Sequence, residues 1–146
     1  MLAALVVCLD QAVKAVVVAS LPLGQSVTLV PGLLDLRHVR NTGVAFGALA
    51  GSGLPVAALS AVALLALLGW FAGHAGQPGV WLPTGLLVGG ALGNLADRAR
   101  EGSVIDFVDP AAWPAFNVDD ACIVLGIVTM VLVAGRGAER PGRAAA

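Results

Sequence analysis

Apolar residues in this chain run in long unbroken stretches, and the polar positions between them set the expected elements. From Arg40 to Asp97 no Asp, Glu, Lys or Arg intervenes, and the segment 73–79, Gly-His-Ala-Gly-Gln-Pro-Gly, breaks the run. That length is too great for one helix and predicts a hairpin of two, about 54–72 and about 80–96, each near the roughly 20 residues that cross about 30 Å of hydrocarbon. Residues 2–21 are apolar except for Asp10, Gln11 and Lys14, and 121–134 are apolar throughout. Fourteen residues at about 1.5 Å each rise only about 21 Å, so the last span has to begin near 117 and run to about 135.

The pattern therefore predicts an all-α polytopic membrane protein, one domain over 1–135, with four transmembrane helices at about 2–21, 54–72, 80–96 and 117–135. An even number of spans puts both ends on one side and leaves 22–53 and 97–116 as loops on the other. In the first loop, 27–30 and 34–39 are rich in β-branched residues, alternate partly, and flank a Pro31-Gly32 turn, so a small extramembrane β element is expected there. The tail 136–146 is mostly Gly, Ala, Arg and Pro and is expected to be disordered. The first segment lacks the basic start of a secretory signal and holds an acid and a base where such a signal is apolar. Val7 is also larger than the small residue that precedes the cysteine of a lipoprotein signal, so the segment reads as a permanent helix.

Composition points the same way. The chain is 58% apolar and 12% charged, against roughly 45–50% and 25% for a soluble domain, which argues for lipid as solvent. Blocks, where a barrel strand would alternate, argue against a membrane barrel. A net charge of −1 leaves no basic surface for nucleic acid. Cys8 and Cys122 lie in apolar runs without zinc-ligand spacing and read as small apolar residues. Orientation does not follow from charge. The tail carries Arg136, Arg140 and Arg143, and the opposite loops carry Arg37, Arg40, Arg98 and Arg100.

Ionisable groups in a membrane chain each cost roughly 2.5–3.5 kcal/mol at a helix centre, so each needs a partner or a task. Asp10 and Lys14, four apart, share a helix face and neutralise each other, an internal pair that turns the first helix toward the bundle. Gly85, Gly89 and Gly93, with Gly90 beside them, form the small-residue stripe that lets membrane helices meet backbone to backbone. Gly90, Asn94 and Arg98 fall on one stripe that aims an amide and a guanidinium at the same place; an interfacial cap with a snorkelling arginine is the plainer alternative. The densest polar cluster spans 103–120. Asn117 is a good N-cap, and acids after it suit the positive end of a helix, but that does not require both Asp119 and Asp120 and leaves Asp106 unexplained. Two carboxylates close together at a membrane edge share a proton, and one then takes a proton from water while the other gives one to a carbonyl oxygen, the chemistry of aspartic proteolysis. Other nucleophiles are lacking: Ser20 and Ser60 have no His near in sequence, His38 and His74 fall on different loops, and no H-E-x-x-H occurs.

Five ordered blocks carry a resemblance: Asp10-Gln11-x-x-Lys14, Arg40-Asn41-Thr42-Gly43-Val44-Ala45-Phe46, Gly89 through Arg98, Val104-Ile105-Asp106-Phe107, and Phe116-Asn117-Val118-Asp119-Asp120. They resemble the signature blocks of bacterial lipoprotein signal peptidase, the type II signal peptidase. The resemblance implies a four-helix protein of the bacterial cytoplasmic membrane, acting as a monomer, with both ends cytoplasmic, a β element in the first outer loop, and an active site near the outer leaflet. It implies cleavage of a prolipoprotein signal peptide just before the diacylglyceryl-modified cysteine, with membrane lipid as a partner and neither metal nor cofactor. By motif position Asp106 and Asp120 are the catalytic dyad. Asn41, Asn94, Arg98 and Asn117 are the polar residues that position substrate and dyad, and Asp10 with Lys14 is the structural pair.

The sequence departs from the family at Asp119, which stands where the last block usually has alanine. A second acid there either raises the dyad's proton affinity or faces water at the interface, and the dyad register favours Asp120. The absence of a basic residue before Asp10 is also unusual and points to a start codon further upstream. The rival from another class is a small proton- or ion-coupled transporter, for which intramembrane acids are equally expected, although no broken helix pair or inverted repeat is visible. A membrane scaffold held only by the glycine face is the third alternative.

Overall fold

The computed structural model describes residues 1–43 and 53–138. It consists of α1 (Leu2–Ser20), β1 (Ser26–Val30), β2 (Leu34–Asn41), α2 (Gly53–His74), α3 (Trp81–Glu101), β3 (Val104–Pro110) and α4 (Val118–Ala138). Among the described residues, α1, α2 and α4 are long and apolar enough to cross a membrane, which makes this an integral membrane protein. With 21 residues α3 has the same reach, but its glycines and its polar end from Asn94 to Glu101 lower its apolarity. It packs against all three other helices and occupies the middle of the bundle.

Glycines set that packing. A Cβ on Gly89 would lie 2.7 Å from Val6 Cβ and 2.9 Å from the Ala3 carbonyl, and one on Gly85 would lie 2.9 Å from Leu2, so this edge of α3 lies against α1. Gly90 and Gly93 face α4: a Cβ on Gly90 would lie 2.4 Å from the Asp119 carbonyl oxygen. The expected small-residue stripe thus serves two neighbours at once.

The β element is larger than expected. Three antiparallel strands are ordered β1-β2-β3, and the third comes from the second loop, whereas the β element was expected in the first. Residues 104–108 read Val-Ile-Asp-Phe-Val, an apolar β-branched run in which Asp106 obscured the strand pattern. Val39 pairs with Asp106 and Asn41 with Val104, with a register shift between Leu36 and Val39. Phe107 drops onto Val17 and Leu21 at the end of α1 and fixes the sheet to the bundle. α3 also continues to Glu101, beyond the expected end at 96, and stops at Gly102 in the left-handed conformation, φ 69°. α4 continues to Ala138, so 136–138, expected in a disordered tail, are helical. The rest of that tail, and Val44, Ala45 and Phe46 of the second sequence block, lie outside the described residues.

Candidate active site

Asn117 organises the start of α4. Its side-chain oxygen accepts a hydrogen bond from the Asp120 N–H at 2.9 Å, and its own N–H donates to Asp120 Oδ2 at 3.3 Å. This reciprocal pair is a capping box with aspartate in the place usually taken by glutamate. The expected N-cap is therefore present, and it takes one oxygen of Asp120 as its second half. The amide nitrogen of the same side chain is left to donate elsewhere, and it reaches Asp106 Oδ1 at 2.8 Å, Asn94 Oδ1 at 3.1 Å and the Ile105 carbonyl at 3.3 Å.

Asp106 comes within reach because the chain after β3 folds back. Phe116 pairs with Val108 as an isolated antiparallel bridge, its carbonyl accepting from the N–H of Phe107 and Val108 and its N–H donating to Val108 O at 2.9 Å. That closure sets Asn117 beside Asp106 although α4 and β3 run separately. From β2, Asn41 Nδ2 donates to Asp106 Oδ2 at 2.9 Å, while Asn41 Oδ1 accepts from the Gly43 N–H at 3.0 Å. From α3, Asn94 Nδ2 donates to Asp120 Oδ1 at 2.8 Å. Each carboxylate is thus held by two donors, and Asn117 touches both.

Arg98, one turn beyond Asn94, stretches to the Gly43 carbonyl at 3.1 Å, and its buried Nε has no hydrogen-bond partner among the described residues. It is a tether with a free N–H, where the plainer expectation was a snorkelling side chain. All six of Asn41, Asn94, Arg98, Asp106, Asp120 and Asn117 therefore meet; all but Asn117 line one cavity of about 1060 Å³. One wall is apolar, from Leu64 and Leu67 of α2, Leu87 of α3 and Ile123 and Val124 of α4, and Trp113 and Pro114 stand at another. Asp106 is 1% exposed. Burial, above all, pushes its carboxyl up to about 7, with the Asp120 charge adding to the rise and the hydrogen bonds from Asn41 and Asn117 and the Lys14 charge opposing it.

Behind this group lies a second one. Lys14 Nζ sits 2.6 Å from Asp10 Oδ2, 2.6 Å from Asp97 Oδ2 and 3.5 Å from Asp119 Oδ2, and 3.5 Å from Asn94 Oδ1. The expected Asp10–Lys14 pair is real but has two further carboxyl partners that sequence reasoning missed. Asp97 carried a signal, an acid at the end of an apolar helix; Asp119 carried one only as a departure from the family pattern. Asp119 is fully buried, so it does not face water, and its side chain points to Lys14 while that of Asp120 points to Asn94. Among the described residues no group of three His, Cys, Asp or Glu side chains is arranged to hold a metal ion.

Comparison with known proteins bears on this geometry. The family model of signal peptidase (SPase) II matches residues 2–135. The chain is similar to the lipoprotein signal peptidase of Syntrophomonas wolfei subsp. wolfei, with 42% identity over 141 residues that cover 93% of each chain. It is similar to the lipoprotein signal peptidase of Halothermothrix orenii, with 38% identity over 128 residues, 88% of each chain. It also superposes on a solved structure described as a bacterial membrane enzyme, determined by the in meso method at 2.3 Å resolution. The TM-score is 0.89 at 27% identity, covering 99% of this chain and 92% of the other.

Proposed function

The chain belongs to the signal peptidase II family, whose members remove signal peptides from lipoproteins, and we propose that it does so as an aspartic endopeptidase with Asp106 and Asp120 as the dyad. The observation that supports this most is that Asn117 donates to Asp106 and caps its helix through Asp120, holding two acids from different elements at one cavity wall. Asp106, buried and with its carboxyl pushed up to about 7, is the acid that protonates the scissile carbonyl oxygen. Asp120, partly open to the cavity and hydrogen-bonded by Asn94 and the Asn117 N–H, is the carboxylate that takes a proton from the attacking water. Attack gives a tetrahedral gem-diol; as its C–N bond breaks, the proton gained by Asp120 passes to the leaving amine and a gem-diol hydroxyl returns a proton to Asp106, which restores the dyad.

The remaining residues position. Asn41 and Asn117 orient Asp106, Asn94 orients Asp120, and Arg98, which lines the cavity, sets its positive charge beside the place of a substrate carbonyl. The apolar wall of α2, α3 and α4 suits acyl chains, consistent with a diacylglyceryl prolipoprotein entering from the membrane. Four spans, the bacterial inner membrane, a site toward the outer leaflet and a monomeric enzyme complete the proposal. The transporter alternative receives no support from a polar group gathered at one end of the bundle.

Purified protein in lipid vesicles, given a diacylglyceryl prolipoprotein, should release the signal peptide. Asp106→Asn and Asp120→Asn should each lower that rate by at least about 10³-fold, as loss of a proton-transfer partner does, with the protein still in the membrane. Cleavage retained by either variant would remove the dyad assignment.

A further inference from the structure

Asp119 lies outside the dyad, yet it occupies a tight seat in the bundle. Its carboxyl fills the notch left by Gly93, where a Cβ would lie only 2.0 Å from Asp119 Oδ2. Its N–H donates to Asp10 Oδ1 at 3.2 Å, and the two carboxyls crowd one ammonium, Lys14 Nζ lying 2.6 Å from Asp10 Oδ2 and 3.5 Å from Asp119 Oδ2. Neither group has water to turn to, since both residues are 0% exposed. Asp119 Oδ1 and Asp10 Oδ2 have no aligned hydrogen-bond donor among the described residues, although Lys14 Nζ lies 2.6 Å from the latter as an ion-pair partner.

The charges around this pair do not balance if every group is ionised. Lys14 faces Asp10, Asp97 and Asp119, and the next cation, Arg100, lies 3.8 Å from Asp97 and is largely exposed. Gln11 also donates to Asp97 at 2.8 Å. The other charged and titratable groups nearby are Cys122 on α4 and, beyond Asn94, Asp120, Asp106 and Arg98, whose guanidinium reaches the Gly43 carbonyl on the side of the dyad. Lys14 and Arg100 against three buried carboxylates leave one negative charge in excess, and two carboxyls crowded on one ammonium without water require a proton.

We propose that Asp10 and Asp119 hold one proton between them, a second carboxyl pair that closes the seam between α1 and α4 behind the dyad. The proton supplies a donor to the pair, in which Asp119 Oδ1 has none, and brings the cluster to neutrality. Asp119 is a positioning residue: through Lys14, 3.5 Å from Asn94 Oδ1, the cluster bears on the amide that holds Asp120. That link to the dyad rests on the function proposed above, whereas the shared proton does not.

Infrared difference spectra of the full chain in lipid vesicles test the proton directly. In the Asp106→Asn/Asp120→Asn background, which removes the dyad's own proton, a protonated-carboxyl band should be present at neutral pH and disappear on adding Asp119→Asn. A missing band, or one that survives Asp119→Asn, would overturn the proposal, and neither result depends on peptide cleavage. Asp119→Asn keeps a neutral donor in the same shape, so in the otherwise native protein it should melt within a few degrees of wild type near pH 7. Both proteins should lose cleavage above about pH 7 as Asp106 gives up its proton, and wild type should lose it more steeply, because alkali also removes the proton held between Asp10 and Asp119. Equal alkaline loss in both proteins would dissociate the pair from the dyad and refute the positioning role. The seat has its own check. Gly93→Ala should be destabilising and be relieved by Asp119→Ala, whereas Gly90→Ala, which meets the Asp119 backbone, should not be relieved. Equal effects of Gly93→Ala in both backgrounds would show that the Asp119 carboxyl is not in this notch.

Discussion

Two chemically distinct ends of one amide do two jobs at Asn117, and substitution separates them. Serine keeps an oxygen able to accept the Asp120 N–H but loses the Nδ2 that donates to Asp106 and Asn94. Asn117→Ser should therefore keep thermal stability close to wild type and lower cleavage by about tenfold to 10³-fold. Asn117→Ala should lose the cap as well, costing a further ~1 kcal/mol or so in the melt. Comparable cleavage by wild type and Asn117→Ser would show that Asp106 does not depend on this donor. The Asp106 carboxyl sets the pH response. Its folded-state value of about 7 lies above the 3.8 of a free aspartate, so the folded protein keeps a proton that the unfolded chain releases. Its contribution to stability falls as pH rises between about 4 and about 7, by at most about 1.4 kcal/mol per pH unit, and is level above. Cleavage should fall over the alkaline side of about pH 7 as the acid is lost. Melting curves across pH should show the stability slope reduced in Asp106→Asn, and an unchanged slope would contradict the burial argument.

At the level of elements, α3 is the part on which the others are registered. Gly89→Ala would set a Cβ against Val6 and the Ala3 carbonyl, and backbone does not give as a side chain does. The substitution should destabilise by about 1–3 kcal/mol. Gly69→Ala, with nothing within 4 Å of its Cβ, should be neutral or slightly stabilising through helix propensity, so parallel melts distinguish packing from propensity. Hydrophobic blocks made α1, α2 and α4 legible in the sequence, because a long apolar helix has few other solvents available. The glycine stripe was legible as a contact surface, but spacing alone did not reveal that Gly89 faces α1 and Gly90 and Gly93 face α4. β3 was not legible, since a strand with an acid at its centre breaks the alternation that identifies strands, and its pairing to β2 is long-range. Of the candidate site, Asp106 and Asp120 with Asn41, Asn94, Arg98 and Asn117 were singled out by motif and by the cost of polar groups in lipid. The Asp97 and Asp119 contacts to Lys14 were not, because they join helices more than eighty residues apart in sequence.

For the whole molecule, topology rests on α3. Leu59, Val62 and Leu65 on α2 and Val124, Val128 and Val131 on α4 are exposed and apolar, a surface too extensive for water and suited to acyl chains. Between these helices α3 needs little apolarity of its own: its glycines are covered by α1 and α4, and its charged residues gather in its last turns beside the sheet. At about 1.5 Å per residue its 21 residues reach about 31 Å, enough to carry the chain from the 75–80 turn to the site across the hydrocarbon. In a cysteine-free background, Thr28→Cys in β1 and Ala111→Cys after β3 should react with a membrane-impermeant maleimide from the same side. Gln77→Cys in the turn before α3 should react from the other side, and Ala66→Cys on the exposed face of α2 should be protected by lipid. Labelling of 111 from the side that labels 77 would mean that α3 does not cross. The protein buries Asp106 by itself, so that result would move the membrane boundary relative to the dyad and leave the burial that raises Asp106 unchanged.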